Sequence, residues 1–375
     1  MAKKILVLSE WYAPAWKAGG PIRSLLNLMA IWPFESYVYT GNYDLGEVEP
    51  LNVPCNQWIQ ADSQTHLYYQ DLKSIRVPSL LNVIKKEQWD GIYINSLFSF
   101  WFSILPLLLL KRMRLLDKVV LAPRGMLHEV ALSQKSMKKK VFILLAKSLG
   151  LWKGITWHAT SEEEVKRIRK IVNDQARIKR VSNVPHINPR VHIPAWSIVQ
   201  DWLLVARVSP EKGILESIQW LSTHSIAEKV TLHVVGPLEN SEYHRTCLEW
   251  IARHTALKVI FHGALPLEEI NSIKEKCHVF YLATKGENFG HAIAEALLSG
   301  MPVIISDRTP WNKLRQANVG WDTAWSESAF HQVFDEWDRL DENGYQKILA
   351  DIKVYKDQWK ANYIDAADWE DLFSF

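Results

Sequence analysis

The feature that most constrains this chain is an alternation of short β-rich runs with helix-period stretches, played through in the first half and again in the second. Ile5–Ser9, Ser36–Thr40, Gly91–Asn95, Lys118–Ala122 and Ile155–Ala159 alternate with helical stretches at Gly20–Ile31, Leu97–Arg114, Lys135–Leu149 and Ser161–Lys170. The second half offers strands at Trp202–Val205, Lys229–Val235, Lys258–His262, His278–Ala283 and Pro302–Ser306, with helices at Glu211–Trp220, Ser241–His254, Pro266–Lys276 and Phe289–Ser299. Alternation of this kind is the signature of a parallel sheet wrapped by helices. The expected fold is therefore α/β, with two Rossmann-like units facing an interdomain cleft.

A length of 375 residues suits two domains of roughly 100–200 residues each. Between the halves, residues 183–195 hold three prolines and show no period, as a linker should. The boundaries read as 1–190 for the first unit and 191–354 for the second, with a C-terminal helix over 355–375 completing the first. Beyond Gly320 the chain turns acidic and Trp-rich; Trp325, Phe330, Val333, Phe334 and Trp337 recur at helical spacing, which predicts closing helices rather than a third domain.

Cys55, Cys247 and Cys277 form no CxxC pair, so neither a disulfide framework nor a zinc cage is written here. That reads as a reducing cytoplasm. The apolar start ends at Leu8, too short for the core of a signal peptide, and reads as a first buried strand. Leu97–Leu110 is broken by Pro106 and falls short of the ~20 residues that span a bilayer.

Charge is unevenly placed. Residues 1–200 carry 27 Lys and Arg against 15 Asp and Glu, a net +12, whereas 201–375 carry 17 against 26, a net −9. A basic half faces something anionic: nucleic acid, a phosphorylated lipid or a pyrophosphate. Nucleic acid is excluded as a partner because no binding motif accompanies the cations.

Three loops after predicted strands carry candidate chemistry. After His278–Ala283 comes Lys285–Gly300, in which Phe289, Ala292, Ile293, Ala296 and Leu297 fall on one helical face. Asn288 suits the N-cap, and the amides of Phe289 and Gly290 are expected as phosphate donors at the helix start. Glu287 precedes the helix, and Glu295 sits beside its apolar stripe, where a carboxylate needs a partner such as ligand hydroxyls. After Trp202–Val205, Arg207 and Lys212 share one strand-to-helix loop, with Ser209 and Pro210 as N-cap and first helical position. Two cations there suit a diphosphate leaving group, whose charge grows as its bond breaks. Both pairs also read as ordinary solvated side chains. The third loop, Ala18–Arg23 with Gly19 and Gly20, shows by itself only a tight turn.

In this order Gly19 and Gly20, Pro123–Met126, His158–Ser161, Ala206–Gly213 and Glu287 through Glu295 resemble the GT4 family of retaining glycosyltransferases of GT-B fold. Gly300–Trp311 is similar to the transferases of O-antigen and capsule assembly. The resemblance runs from about residue 4 to 320. It implies that Arg207 and Lys212 bind the donor diphosphate, that Glu287 holds hydroxyls of the transferred sugar, and that Glu295 takes the ribose hydroxyls. Gly19, Gly20 and the amides of Asn288, Phe289 and Gly290 would complete the donor site. It further implies an acceptor-binding first unit, a donor-binding second unit, attack on the same face as departure, and no metal or other cofactor.

Where many members carry a histidine after the strand at Lys118–Ala122, this sequence has Pro123, Arg124 and Gly125. Arginine stays protonated and cannot serve as a base, so Arg124 is expected to contact a phosphate of donor or acceptor, and His128 to approach the reacting sugar. His158 and His291 read as structural histidines. Lys135–Lys153 sets a basic cluster beside Phe142, Leu145 and Leu149, a pattern able to lie on an anionic bilayer and equally a solvated face over a core stripe. With a polyprenyl-pyrophosphate-linked glycan as acceptor, the expected location is cytoplasmic and peripheral on the inner face of the inner membrane. The remaining readings are a sugar-nucleotide epimerase, a sugar phosphorylase, or an inactive subunit that only binds nucleotide or glycan. A nicotinamide enzyme is disfavoured, because no GxGxxG follows the first strand.

Overall fold

Lys4–Leu8 (β1) shows how this sequence builds its first layer. Successive strand side chains point to opposite faces, and here both faces are apolar. Ile5 and Val7 pack with Leu25 and Leu28 of helix Gly20–Met29 and with the C-terminal Trp369 and Phe373. Leu6 and Leu8 pack on the other face with Leu80, Phe102, Leu107 and Trp157. A strand buried on both sides has no solvent face, which is the condition of a parallel sheet inside helices.

A computed structural model describes residues 2–127, 136–185, 192–363 and 366–375. The chain divides into two units, Met1–Val184 with Ile364–Phe375, and Pro185–Tyr363. Besides β1, the first unit contains β2 (Glu35–Gly41), β3 (Trp58–Gln60), β4 (Thr65–Gln70), β5 (Gly91–Asn95), β6 (Val119–Ala122), β7 (Thr156–Ala159) and β8 (Arg177–Arg180). They form one sheet in the order β3-β4-β2-β1-β5-β6-β7-β8, parallel except for the β3/β4 pair. The second unit contains β9 (Gln200–Val205), β10 (Val230–Val235), β11 (Lys258–Gly263), β12 (Val279–Leu282), β13 (Val303–Ser306) and β14 (Gly320–Thr323), ordered β11-β10-β9-β12-β13-β14 and parallel throughout.

Each sheet reverses its winding once. From β1 the chain moves outward through β2 and then returns to β5; from β9 it moves outward through β10 and β11 and returns to β12. The loops after β1 and β5, and those after β9 and β12, therefore part from each other. In open α/β sheets such switch points are where ligands bind.

Several expectations need correction. The expected helix Leu97–Arg114 is instead a π-helical turn at Phe100–Ile104 followed by a helix over Leu105–Arg112. Pro106 has no N–H to give to the preceding turn and is tolerated only near a helix start. Glu211–Trp220 begins as a short 3-10 turn, Pro210–Lys212, and becomes α-helical only at Ile214–Ser222. Trp325 stays outside helix Glu327–Asp338, which Ser326 caps by accepting from the Ala329 amide; Phe330, Val333, Phe334 and Trp337 are its buried face. The following helix starts at Glu342 rather than Lys353. Strands β3, β4, β8 and β14 escaped the pattern altogether: β3, β8 and β14 are short strands at sheet edges, where Arg-Ile-Lys-Arg in β8 carries charge instead of an apolar run, and β4, Thr-His-Leu-Tyr-Tyr-Gln, lacks an apolar run.

Candidate functional site

The second unit's switch point brings two of the sequence motifs together. The loop after β9 carries Arg207 and Lys212, and the loop after β12 carries Glu287. Gly213 joins them closely: at φ 62° it sits in the left-handed region, and a Cβ there would lie 2.0 Å from the Ala283 carbonyl oxygen. No other residue fits that crossing. The Lys285 amide then donates to the Glu211 carbonyl (3.1 Å), and the Thr284 hydroxyl bonds the Gly286 carbonyl (3.2 Å).

On this frame Lys212 Nζ donates to Glu287 Oε1 at 2.7 Å, with both side chains mostly buried (16% and 13% exposed). Arg207, on the same loop, is 43% exposed and pairs with Glu239 Oε1 at 2.7 Å, with Glu211 farther away at 3.9 Å. Lys285 is held by Glu216 at 2.6 Å, and the Tyr243 hydroxyl accepts from the Leu215 amide (2.8 Å). The sequence reading did not single out Glu216, Glu239 or Tyr243, because none belongs to a motif and each meets its partner only in the folded chain, Tyr243 where helix Ser241–Arg253 packs on helix Ile214–Ser222.

The helix after Glu287 starts later than expected. Gly290, not Asn288, is the N-cap, in the left-handed region at φ 76°, and the helix runs His291–Ser299. Its first bond links the Ala294 amide to the Gly290 carbonyl (3.0 Å). The amides turned out at the positive end of the helix are therefore those of His291, Ala292 and Ile293, rather than Phe289 and Gly290. The segment before it is fixed from β13's loop: the Glu287 amide donates to Arg308 O (3.0 Å), and the Trp311 indole donates to Phe289 O (2.6 Å). Glu295 lies in the second helical turn, 7% exposed.

In the first unit, Gly19 caps helix Gly20–Met29 at φ 65°. The preceding turn is pinned by Asp44, which accepts the amides of Trp16 (2.9 Å) and Lys17 (3.1 Å); this acid, too, carried no sequence signal. Arg124, itself left-handed at φ 52°, is committed to three side chains. Nε donates to Asn95 Oδ1 (2.8 Å), Nη1 to Asn183 Oδ1 (2.5 Å) and Nη2 to the Tyr93 hydroxyl (2.7 Å). His158 lies 2.8 Å from the Tyr93 hydroxyl through Nδ1 and 2.8 Å from the Val181 carbonyl through Nε2. A carbonyl can only accept, so Nε2 carries the proton, Nδ1 accepts, and Tyr93 donates to it. Burial, with the Arg124 charge adding to it, pushes His158 down to about 3, and burial pushes Tyr93 up to about 12. His158 is thus a neutral structural histidine.

One turn away, buried Glu164 accepts the Gly125 amide at 2.7 Å and both the amide and hydroxyl of Thr160 at 2.8 Å. It fixes the loop bearing Arg124. His128 lies outside the described residues. Among the described residues no group of His, Cys, Asp and Glu is arranged to hold a metal ion.

Residues 200–319 match the family model of glycosyl transferases group 1. No curated protein sequence matches the chain. Among solved structures, Anabaena Alr3699/HepE in complex with UDP-glucose is similar at TM-score 0.70 and 18% identity, over 99% of this chain and 100% of that one. WaaG, a glycosyltransferase involved in lipopolysaccharide biosynthesis, is similar at TM-score 0.66 and 14% identity, over 98% of each chain. Sucrose-phosphate synthase from Thermosynechococcus elongatus follows at 0.65 and 14%, over 99% and 96%. These likenesses show the GT-B fold expected from the motifs. The family match lies wholly within the second unit, over residues 200–319.

Proposed function

We propose that the chain is a retaining glycosyltransferase that moves a sugar from a nucleoside-diphosphate donor to a glycan acceptor. The observation that carries this reading is the Lys212–Glu287 pair, 2.7 Å apart at the switch point of a glycosyl transferases group 1 domain. Arg207 and Lys212 take the donor's diphosphate, and Glu287 takes hydroxyls of the transferred sugar. Glu295 takes the ribose, and the amides opening helix His291–Ser299 face the distal phosphate. As the bond from the anomeric carbon to phosphate stretches, charge builds on the diphosphate and the two cations stabilise it. The acceptor hydroxyl attacks from the same face and passes its proton to the departing phosphate oxygen, so no protein nucleophile and no metal take part. The HepE structure was solved with UDP-glucose, which favours a uridine donor here.

The acceptor in this reading is a polyprenyl-pyrophosphate-linked glycan of O-antigen, capsule or exopolysaccharide assembly, met by the first unit at the cytoplasmic face of the inner membrane. No helix among the described residues is long and apolar enough to cross a membrane. Helix Ser136–Ser148 instead turns Met137, Val141, Leu144 and Leu145 outward, among exposed Lys138, Lys140 and Lys147. Phe142, Ile143 and Ala146 face the core. That arrangement suits peripheral contact with anionic lipid.

A thermal-shift series with UDP, GDP, ADP and CMP tests the donor site, because a ligand of the folded state raises its melting temperature. One diphosphate should shift wild type selectively and lose its effect in Lys212→Ala. No shift with any nucleotide overturns the reading.

A further inference from the structure

The first unit has a switch point of its own, between β1 and β5. The segments that leave these two strands, with Leu72 and Ile75 from the segment after β4 and Met126 from the loop after β6, line an open cavity of about 470 Å³. That is within the roughly 300–1,000 Å³ of small-molecule sites. Trp11, Phe98, Phe100 and Trp101 give it aromatic walls, and Glu10 gives it a carboxylate. Two features mark it as more than a packing gap. Phe100 is 55% exposed although it adjoins a core, its ring edge-on to Trp101 at 5.4 Å between centroids. The wall is also built on the π-helical turn Phe100–Ile104, a rare conformation frequent at functional sites.

We propose that this cavity holds a pyranose ring of the acceptor glycan, its C–H face on the aromatic rings and its hydroxyls donating to Glu10. The inference rests on the glycosyltransferase reading above and gives that acceptor a place. Other ligand chemistries fit less well. A hydrocarbon chain would bury Glu10, which Ser99 already hydrogen-bonds, without further compensation. A phosphate would meet a like charge. A quaternary ammonium suits aromatic rings and a carboxylate, but residues 1–200 carry 27 Lys and Arg against 15 Asp and Glu, a field that repels cations. A neutral ring with one apolar face and several donors satisfies both the walls and the acid. Burial raises the Glu10 pKa, which a hydroxyl-bearing ligand tolerates in either protonation state.

The test is saturation-transfer NMR on the full chain with four probes: the methyl glycosides of glucose, galactose, mannose and N-acetylglucosamine. Tetramethylammonium and hexanol serve as comparison probes. Phe100→Ala and Glu10→Gln are the variants, and the nucleoside-diphosphate thermal shift is recorded on the same samples. At least one glycoside should show saturated ring protons in wild type and bind at least tenfold more weakly in both variants, while the nucleotide shift persists. Glycoside signals unchanged in both variants, or no glycoside signal with the nucleotide shift intact, overturn the cavity proposal and leave the donor reading standing. A signal from tetramethylammonium or hexanol alone, lost in Phe100→Ala, overturns it in favour of a cation or a hydrocarbon. Glycoside binding that depends on Phe100 and Glu10 without any nucleotide shift supports the cavity and sinks the donor reading instead.

Discussion

Arg124 and Arg207 both follow a central strand of a parallel sheet, one in each unit, and the fold uses them in opposite ways. Arg124 is fixed by three side chains within 2.8 Å, and all three, Asn95, Asn183 and Tyr93, are buried. Arg207 meets one carboxylate at 2.7 Å, and both partners are 43% exposed. Hydrogen bonds to a charged group contribute about 1.5–3 kcal/mol each, whereas an exposed ion pair contributes about 0–1 kcal/mol. Turning Arg124 toward a ligand would therefore cost several kcal/mol, and turning Arg207 almost nothing. Position after a strand thus does not tell how free a cation is to turn toward a ligand; the number and burial of its partners decide.

The largest effect that would break this contrast lies at Lys212 and Glu287. Both groups are mostly buried like Arg124's partners, yet the proposed function puts them on the ligand side. Losing one group that stabilises developing charge costs about 10²–10³ in rate, so Lys212→Ala and Glu287→Ala should each lose at least a hundredfold in transfer, measured as initial rates on folded protein. Truncating either also strands the other, at about 1–3 kcal/mol, so a lower melting temperature accompanies the loss. Transfer within tenfold of wild type would put this pair with Arg124, as architecture.

How far the sequence alone could see follows the same division. The apolar runs of β1, β9 and β12 and the loop motifs between residues 206 and 295 were legible because each is local: a buried strand, a Gly, a cation or acid at fixed spacing. Asp44, Glu216 and Glu239 were not, since each reaches its partner between segments distant in sequence, and Glu164 was not, because its bond to the Gly125 amide joins segments 39 residues apart. The start of helix His291–Ser299 was misplaced by two residues because Gly290 adopts φ 76°, a backbone choice that the continuous apolar stripe from Phe289 conceals. The outward face of helix Ser136–Ser148 was blurred for a related reason: apolar residues lie on both sides, and only packing tells Phe142 from Leu144.

Glu164 sharpens the contrast from the structural side. Glu164→Ala leaves the Gly125 amide and the Thr160 amide and hydroxyl without their acceptor. An unsatisfied buried donor costs about 1–3 kcal/mol, and a domain of this size loses roughly 2–4 °C per kcal/mol. A melting temperature lower by roughly 6 °C or more should accompany near-normal rates per folded molecule below the transition. A large rate loss with unchanged melting would move this loop into the ligand machinery.

His158 gives the contrast a pH dependence. Its folded-state pKa of about 3 lies below the usual 6.5, so the unfolded chain binds the proton first and stability falls as the solution is acidified. The contribution is complete above the unfolded value, and it is lost as pH falls from about 6.5 toward about 3, at up to about 1.4 kcal/mol per pH unit. Urea midpoints at pH 7, 6 and 5 should fall more steeply for wild type than for His158→Gln. Parallel slopes would mean that the histidine is not held neutral, and that the chain from Arg124 through Tyr93 to Val181 is looser than its distances indicate.

The smallest effect discriminates best, because it asks whether Arg207 is available. Its partner Glu239 is as exposed as it is, so Glu239→Ala should change the melting temperature by no more than about 2 °C, as expected for a surface pair worth about 0–1 kcal/mol. The same substitution releases Arg207 for an anion, and the KM for the nucleotide donor should stay level or fall. Arg207→Ala should raise that KM about tenfold, the equivalent of one charge-assisted contact of about 1.4 kcal/mol, again with little change in melting. If both variants instead melted several degrees lower and the donor KM did not move, Arg207 would be a structural cation like Arg124. The diphosphate would then rest on Lys212 and the amides of helix His291–Ser299 alone.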